Sequence, residues 1–312
     1  MAAAPHGAER SDASERTDPR LWQQRGERIA WRGHHLFARS EGLGEPLLLL
    51  HGFPTSSWDW KELWTGLLPG RRLIALDYLG FGFSDKPADG DYTVSAYADQ
   101  AEAVLHHFGV AAGQPIHILA HDLGDTVAQE LVARQVERRP GAHPVLSLGL
   151  LNGGIFPEVH RPRLVQRLLD SPLGFVLARL LNRRSFERSM RAIFGPNTPP
   201  SAAELAGFWL CVSEQAGTRN YHRLIRYMRE RKRERSRWVT PLVEGAVPFA
   251  LINGLADPVS GAHVVARLRE LRPSATIFEL PGIGHYPLTE AAAQVLASYE
   301  QFREGVRASS GG

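Results

Sequence analysis

The run Ile116-His117-Ile118-Leu119-Ala120-His121-Asp122-Leu123-Gly124 constrains the fold of this chain more than any other segment. A strand-like apolar stretch meets one reactive residue, a glycine follows two places on, and a helix-like stretch continues over 126–138. A sharp strand-to-helix turn there would raise one side chain clear of the backbone at the end of a sheet, the layout of a nucleophile elbow. Such elbows usually carry serine; this one carries Asp122. An alkoxide suits attack on acyl carbon. A carboxylate suits displacement at alkyl carbon and leaves an ester that water must then hydrolyse. The residue points away from ordinary esterases and toward epoxide or haloalkane chemistry.

Strand-like runs at 29–31, 35–38, 46–50, 72–76, 115–120, 145–151, 249–253 and 275–279 surround helical patterns at 94–108, 126–138, 261–271 and 287–303. That alternation predicts an α/β fold with a mainly parallel, doubly wound sheet covered on both faces. Leu47 to Leu50 is wholly apolar and is stopped by His51-Gly52, as expected of a buried parallel strand. Between 153 and 241 the pattern breaks into arginine-rich helical segments with no clear strand. A helical cap inserted between two sheet strands is the plain reading, over the strand ends where open α/β sheets bind ligands. The expected organisation is a disordered tail at 1–19, a core built from 20–153 and 241–306, and a cap at 154–240.

Composition excludes several classes. With 312 residues and 43% hydrophobic content, the chain can bury one large core or a core with a small extra domain. A formal charge of +3 is slight for this length and gives no reason to expect a nucleic-acid partner. Cys211 is the only cysteine, which rules out an intrachain disulfide and makes a reducing, cytoplasmic setting the simplest expectation. The first residues lack the apolar core of a signal peptide, and no run approaches bilayer-spanning length.

An elbow nucleophile needs an acid and then a histidine further along the chain. Gly254-Leu255-Ala256-Asp257-Pro258 follows the strand expected at 249–253, and Gly284-His285-Tyr286-Pro287 follows the one at 275–279. Asp122 is 135 residues before Asp257, a gap that holds the cap, and Asp257 is 28 before His285. The roles follow from chemistry. Asp122 attacks carbon, His285 takes a proton from water, and Asp257 fixes the imidazole and stabilises its charged form. The oxyanion formed in ester hydrolysis needs two backbone N–H donors: Leu123, directly after the nucleophile, and Phe53, in the loop His51-Gly52-Phe53-Pro54. Singly, Asp257 reads as well as a turn cap before Pro258, and His285 as a loop histidine.

Other polar residues read as structural. Asp125 suits the first turn of a helix, where the dipole favours an acid. His121 faces away from the elbow tip. In Asp77-Tyr78-Leu79-Gly80-Phe81-Gly82-Phe83-Ser84 the glycines could suggest a phosphate loop, but no Gly-Lys-Ser/Thr ending follows. A rigid turn with Asp77 and Ser84 bonded to backbone is the better reading.

Together these pieces resemble the α/β-hydrolase fold superfamily, in the branch of epoxide hydrolases and haloalkane dehalogenases, and most closely resemble the mesoderm-specific transcript family. The carrying segments are His51-Gly52-Phe53-Pro54-Thr55-Ser56-Ser57, the 76–87 loop, and His121-Asp122-Leu123-Gly124-Asp125-Thr126-Val127. Asn152-Gly153-Gly154-Ile155-Phe156-Pro157-Glu158, Arg237-Trp238-Val239, Asp257-Pro258-Val259 and His285-Tyr286-Pro287 complete the set. The resemblance implies a sheet of the α/β-hydrolase type with a helical cap and no metal or organic cofactor. It also implies departures. Haloalkane dehalogenases hold the leaving halide with Asn or Trp at the positions of Phe53 and Leu123, whose side chains donate nothing. Epoxide hydrolases use cap tyrosines as acids. Asn220-Tyr221-His222-Arg223 is similar to one such motif, but His222 stands where the tyrosine would align, which leaves Tyr221 and Tyr227 as candidate acids.

The basic stretch 219–237 admits two readings, a helix touching an acidic membrane surface or a solvated cap helix; the second is favoured, because a cap must present a polar outer face. The expected function is a hydrolase acting on a small apolar electrophile, epoxide hydrolase-like, with a small-molecule substrate as its expected partner and no nucleic acid. The rivals are a non-catalytic binding protein that keeps the elbow as scaffold, haloalkane dehalogenase-like activity, and an esterase in which Asp122 is structural.

Overall fold

A computed structural model describes residues 14–310. Eight strands form one sheet: β1 (Glu27–Trp31), β2 (His34–Gly42), β3 (Glu45–Leu50), β4 (Arg71–Leu76), β5 (Ile116–His121), β6 (Val145–Leu151), β7 (Phe249–Gly254) and β8 (Thr276–Leu280). Their spatial order is β1-β2-β4-β3-β5-β6-β7-β8. The first two pairings, β1 with β2 and β2 with β4, are antiparallel, and the rest are parallel. Leu47 to Leu50 are fully buried, as an apolar strand covered on both faces must be. The sheet is of the α/β-hydrolase type.

The chain leaves β3 toward β4 on one side and returns to β5 on the other, so the strand order switches direction between β3 and β5. A crevice opens at such a switch point, outside the carboxyl ends of the strands. Leu50 pairs with Ala120 across it. The loop holding Phe53 and the turn holding Asp122 therefore leave the sheet side by side.

Between β6 and β7 every regular element is helical, from Leu164–Leu169 to Arg235–Val243. The boundary expected at 240 falls inside the last of these helices. That helix lies along Leu123–Val136, where Trp238 Nε1 donates to Glu130 at 2.8 Å and the Trp238 carbonyl accepts from Gln129 at 3.3 Å. The helix expected over 287–303 is two, Pro287–Glu290 and Ala292–Ser310, parted at Ala291 (φ −144°, ψ 43°). Glu290 is held by the loop before it, and the longer helix turns away to cover β6, β7 and β8.

Of the tail expected at 1–19, residues 1–13 lie outside the described residues. The remainder is packed: Glu15 is buried against Arg39 and Arg25, and its carbonyl accepts from Trp58 Nε1. A carboxylate with a buried arginine to pair with has an energetic reason to be ordered, which composition alone does not reveal. Among the described residues no helix is long and apolar enough to cross a membrane.

Candidate active site

The turn after β5 has the backbone that an elbow requires. Asp122 sits at φ 47°, ψ −104°, a region costly for a residue with a Cβ. Its N–H donates to the Leu151 carbonyl, tying the turn to β6. Glycine is required twice around it. A Cβ on Gly124 would lie 2.2 Å from the Leu50 carbonyl oxygen, and one on Gly52 would lie 2.9 Å from the Asp122 Cβ. Helix Leu123–Val136 then starts at once, so the Leu123 N–H is among the first-turn donors with no intrahelical acceptor.

The Asp122 carboxylate is buried and partnered on both oxygens. Oδ2 accepts the Phe53 N–H at 3.1 Å and faces the Tyr227 hydroxyl at 3.5 Å. Oδ1 lies 3.6 Å from Arg231 Nη2, which also donates to the Asp122 carbonyl at 2.9 Å. Burial alone would raise this carboxyl, but the charges of His285 and Arg231 outweigh it and hold it below the ordinary carboxylate value. Asp122 is therefore ionised at neutral pH.

The structure brings Asp257 and His285 to the same place, from the loops after β7 and β8. His285 Nδ1 and Asp257 Oδ2 are 2.7 Å apart. Burial would lower the imidazole, yet the Asp257 charge and hydrogen bond, with Asp122 and Glu290 behind them, push it up to about 9. Asp257 is itself clamped by the N–H groups of Val259 and Ser260 and by Asn152 Nδ2 at 3.0 Å. Asn152 also spans β6 and β7, giving its amide to the Gly254 carbonyl and taking the Gly254 N–H at 2.8 Å. The His285 loop is tied down by Glu290, which accepts from the N–H groups of Gly284 and Tyr286 beside it and of Gly195 in the cap.

The two candidate tyrosines separate. Tyr221 donates to the Pro54 carbonyl at 3.3 Å and packs its ring on Phe53, so its hydroxyl is turned from the carboxylate. Tyr227 reaches Asp122, and burial together with that charge raises its phenol. His222 lies on the cap's exterior against the Arg219 carbonyl. The Phe53 N–H points at the carboxylate itself. Leu123 is adjacent, and its N–H makes no hydrogen bond to the carboxylate.

Asp125 is structural, but not for the reason the dipole suggests. It is fully buried, its Oδ1 takes the Leu151 N–H at 3.4 Å, and burial reinforced by the Asp122 charge raises its carboxyl well above the ordinary value. His121 Nε2 donates to the His285 carbonyl at 2.7 Å, and burial together with His285 lowers its pKa to about 4. Asp77 accepts from the N–H groups of Ser57 and Phe83, each at 2.7 Å, and Ser84 bonds to the Asp77 carbonyl, which makes 77–84 a rigid turn.

Sequence reading missed Arg231, Asn152 and Glu290. Arg231 belongs to the basic stretch read as solvated. It is the member that turns inward, 2% exposed, while Arg229, Arg235 and Arg237 pair with Asp170, Glu158 and Glu137 at the surface. Its signal was position: on Tyr227–Arg233 it follows Tyr227 by one helical turn, on the same face. His160 lies beside it, with Nε2 buried and unpartnered, and burial and Arg231 lower its pKa to about 3. Next to Phe53 and Tyr221 the cap and the 53–54 loop line an apolar pocket of about 60 Å³. Among the described residues no three His, Cys, Asp or Glu side chains are grouped as metal ligands.

A strand-order switch, an elbow after β5 and an acid–histidine pair after β7 and β8 define the alpha/beta hydrolases. A profile of the Alpha/beta hydrolase family matches residues 47–298, and the chain belongs to that family. Within it, the chain belongs with the mesoderm-specific transcript proteins. It is 41% identical to the mesoderm-specific transcript homolog protein of Bos taurus over 290 residues, 90% of this chain and 86% of that one. It is 39% identical to the putative hydrolase LipZ of Mycobacterium tuberculosis, over 87% of this chain and 93% of the other. Among solved structures, a loop variant of the haloalkane dehalogenase DbeA from Bradyrhizobium elkanii matches with a TM-score of 0.75 at 20% identity, covering 92% of this chain and 98% of that one. The protein is a hydrolase of the α/β type.

Proposed function

We propose that this hydrolase opens small apolar epoxides through a covalent ester on Asp122. The observation that carries the reading is the Asp122 carboxylate at its strained turn. One oxygen faces both a backbone N–H and a tyrosine hydroxyl, and the Asp257–His285 pair supplies the strongest neighbouring charge.

An Asp122 oxygen attacks a ring carbon and the ring C–O bond breaks. Tyr227 gives its proton to the departing oxygen. Ester formation removes the Asp122 charge, one cause of the raised His285 pKa, so the imidazole can release its proton to solvent and become a base. His285 then takes a proton from water as that water attacks the ester carbon. The Phe53 and Leu123 N–H groups hold the resulting oxyanion. Collapse expels the alkoxide, which His285 protonates. Asp122 leaves as a carboxylic acid, and its proton restores the Tyr227 hydroxyl. His285 takes its proton back from solvent once the Asp122 charge has returned, and the sum is epoxide plus water to diol.

The apolar cavity beside Phe53 and Tyr221 suits a small hydrocarbon substituent. Haloalkanes suit the site less, since neither the Phe53 nor the Leu123 side chain offers a halide a donor. The test is His285→Gln, incubated with panels of epoxides, haloalkanes and esters and read by intact mass. A substrate-sized adduct mapping to Asp122 with epoxides is expected. No adduct, together with no wild-type turnover, would sink the proposal in favour of a binding protein.

A further inference from the structure

Six of the nine large apolar side chains that stand exposed among the described residues lie within 164–180: Leu164, Leu168, Leu173, Phe175, Val176 and Leu180. Leu164 and Leu173 are 72% and 71% exposed. The first pair sits one turn apart on Leu164–Leu169, and Val176 and Leu180 share a face of Gly174–Leu180, with Leu173 at its N-cap. These two helices pack against each other, and their inner sides already bury Leu169 and Ala178. They are thus apolar inside and out, whereas a cap helix facing water presents a polar outer side. A cluster of this kind marks an interaction surface, where isolated exposed leucines would not.

The charge around it is one-sided. Residues 161–191 hold eight arginines and no lysine, against two acids, Asp170 and Glu187. We propose that this outer face of the cap docks on an anionic lipid bilayer, its apolar side chains entering the hydrocarbon boundary while the arginines meet headgroup phosphates. A second copy fits the face poorly. Two-fold pairing would set the same arginine excess against itself. The location also fits a lipid partner. Val165, Leu169, Leu181 and Phe186, from the same part of the cap, line the apolar cavity that reaches Phe53 and Tyr221. An apolar substrate dissolved in the bilayer would then have a short dry path toward Asp122. That last step rests on the proposed function; the docking does not.

The full chain should float with vesicles of phosphatidylcholine and phosphatidylglycerol at low salt. It should not float with phosphatidylcholine alone, and the binding should weaken as salt screens the arginines. A Leu173→Glu/Phe175→Glu variant should bind about tenfold more weakly, since it places charge in the apolar boundary. Its circular dichroism should be unchanged. Absence of wild-type binding to the anionic vesicles overturns the proposal, and so does a variant that binds as well as wild type. Sedimentation velocity without lipid covers the alternative: a dimer abolished by the same substitutions overturns it in favour of a second copy. Adduct formation in the His285→Gln background reports on the proposed chemistry separately, so either idea can fail alone.

Discussion

Arg231 reaches from the cap to Asp122 and holds that residue's main chain and side chain together, its Nη2 2.9 Å from the Asp122 carbonyl oxygen and 3.6 Å from Oδ1. Its Nε donates to the Thr126 hydroxyl one helical turn further on. The guanidinium therefore fastens a backbone conformation that is unfavourable by itself.

Arg231→Met should cost about 3 kcal/mol in chemical denaturation, because it leaves a buried carboxylate short of a partner. Arg231→Lys keeps the charge but loses the fork, and should slow adduct formation about tenfold. Since Arg231 helps hold the Asp122 carboxyl down, the acid limb of the adduct-formation rate should move to higher pH in Arg231→Met. An unmoved limb would show that the arginine is structural only.

The tyrosines give a paired comparison. Tyr227→Phe should slow ester formation with an epoxide by about a hundredfold, the usual loss for a general acid. Tyr221→Phe should leave it within about twofold, since the Tyr221 hydroxyl is occupied by the Pro54 carbonyl and only a modest hydrogen bond is lost. Rapid-quench mass measurement in the His285→Gln background separates this step from hydrolysis. Equal effects at the two positions would contradict the assignment.

The raised pKa of His285 makes a prediction for stability against pH. A histidine at about 9 in the folded chain binds its proton more tightly than in the unfolded chain. Its contribution is complete below the unfolded value and is lost as pH rises through about 9. The stability of wild type minus that of His285→Gln should therefore fall across this window, by about 3 kcal/mol at most. Taking the difference removes the other groups that titrate there, Lys86 among them. A flat difference curve would mean that the imidazole is neutral in the folded protein.

Asn152 offers a test of positioning. Asn152→Ala removes the amide from Asp257 and unlinks β6 from Gly254. Ester hydrolysis should drop by about ten- to a hundredfold, the cost usual for a partner that orients a functional group. Its pH limb should shift with it, because Asn152 helps hold the Asp257 carboxyl low. A loss of stability with hydrolysis unchanged would make the residue a strand clip only.

Much of the sheet could be read along the chain. Leu47 to Leu50 and Phe249 to Ile252 announce buried strands through unbroken apolar composition, and the 145–151 run does so with only Ser147 and Gly149 interrupting it, a local property. The elbow is local too, since its strand, its reactive residue and Gly124 are within a few positions of one another. Tyr227 and Tyr221 show where that stops. Both lie on basic cap segments, both are buried, and their sequence surroundings do not separate the one facing Asp122 from the one facing Pro54. Glu15 likewise sits in a stretch whose composition suggests disorder, yet a buried Arg39 waits for it.

By itself, then, the chain's order of residues determined the strands, the strand-to-helix turn and the chemical character of the residue at its tip. Periodicity, turn chemistry and side-chain reactivity act over a handful of positions. Only the tertiary structure decided which distant groups meet that tip: Arg231 from the cap, Asn152 across two strands, and Glu290 behind the histidine loop. Their contacts depend on packing between segments far apart in the chain, and a charged side chain turns inward only where a buried partner offsets the loss of water.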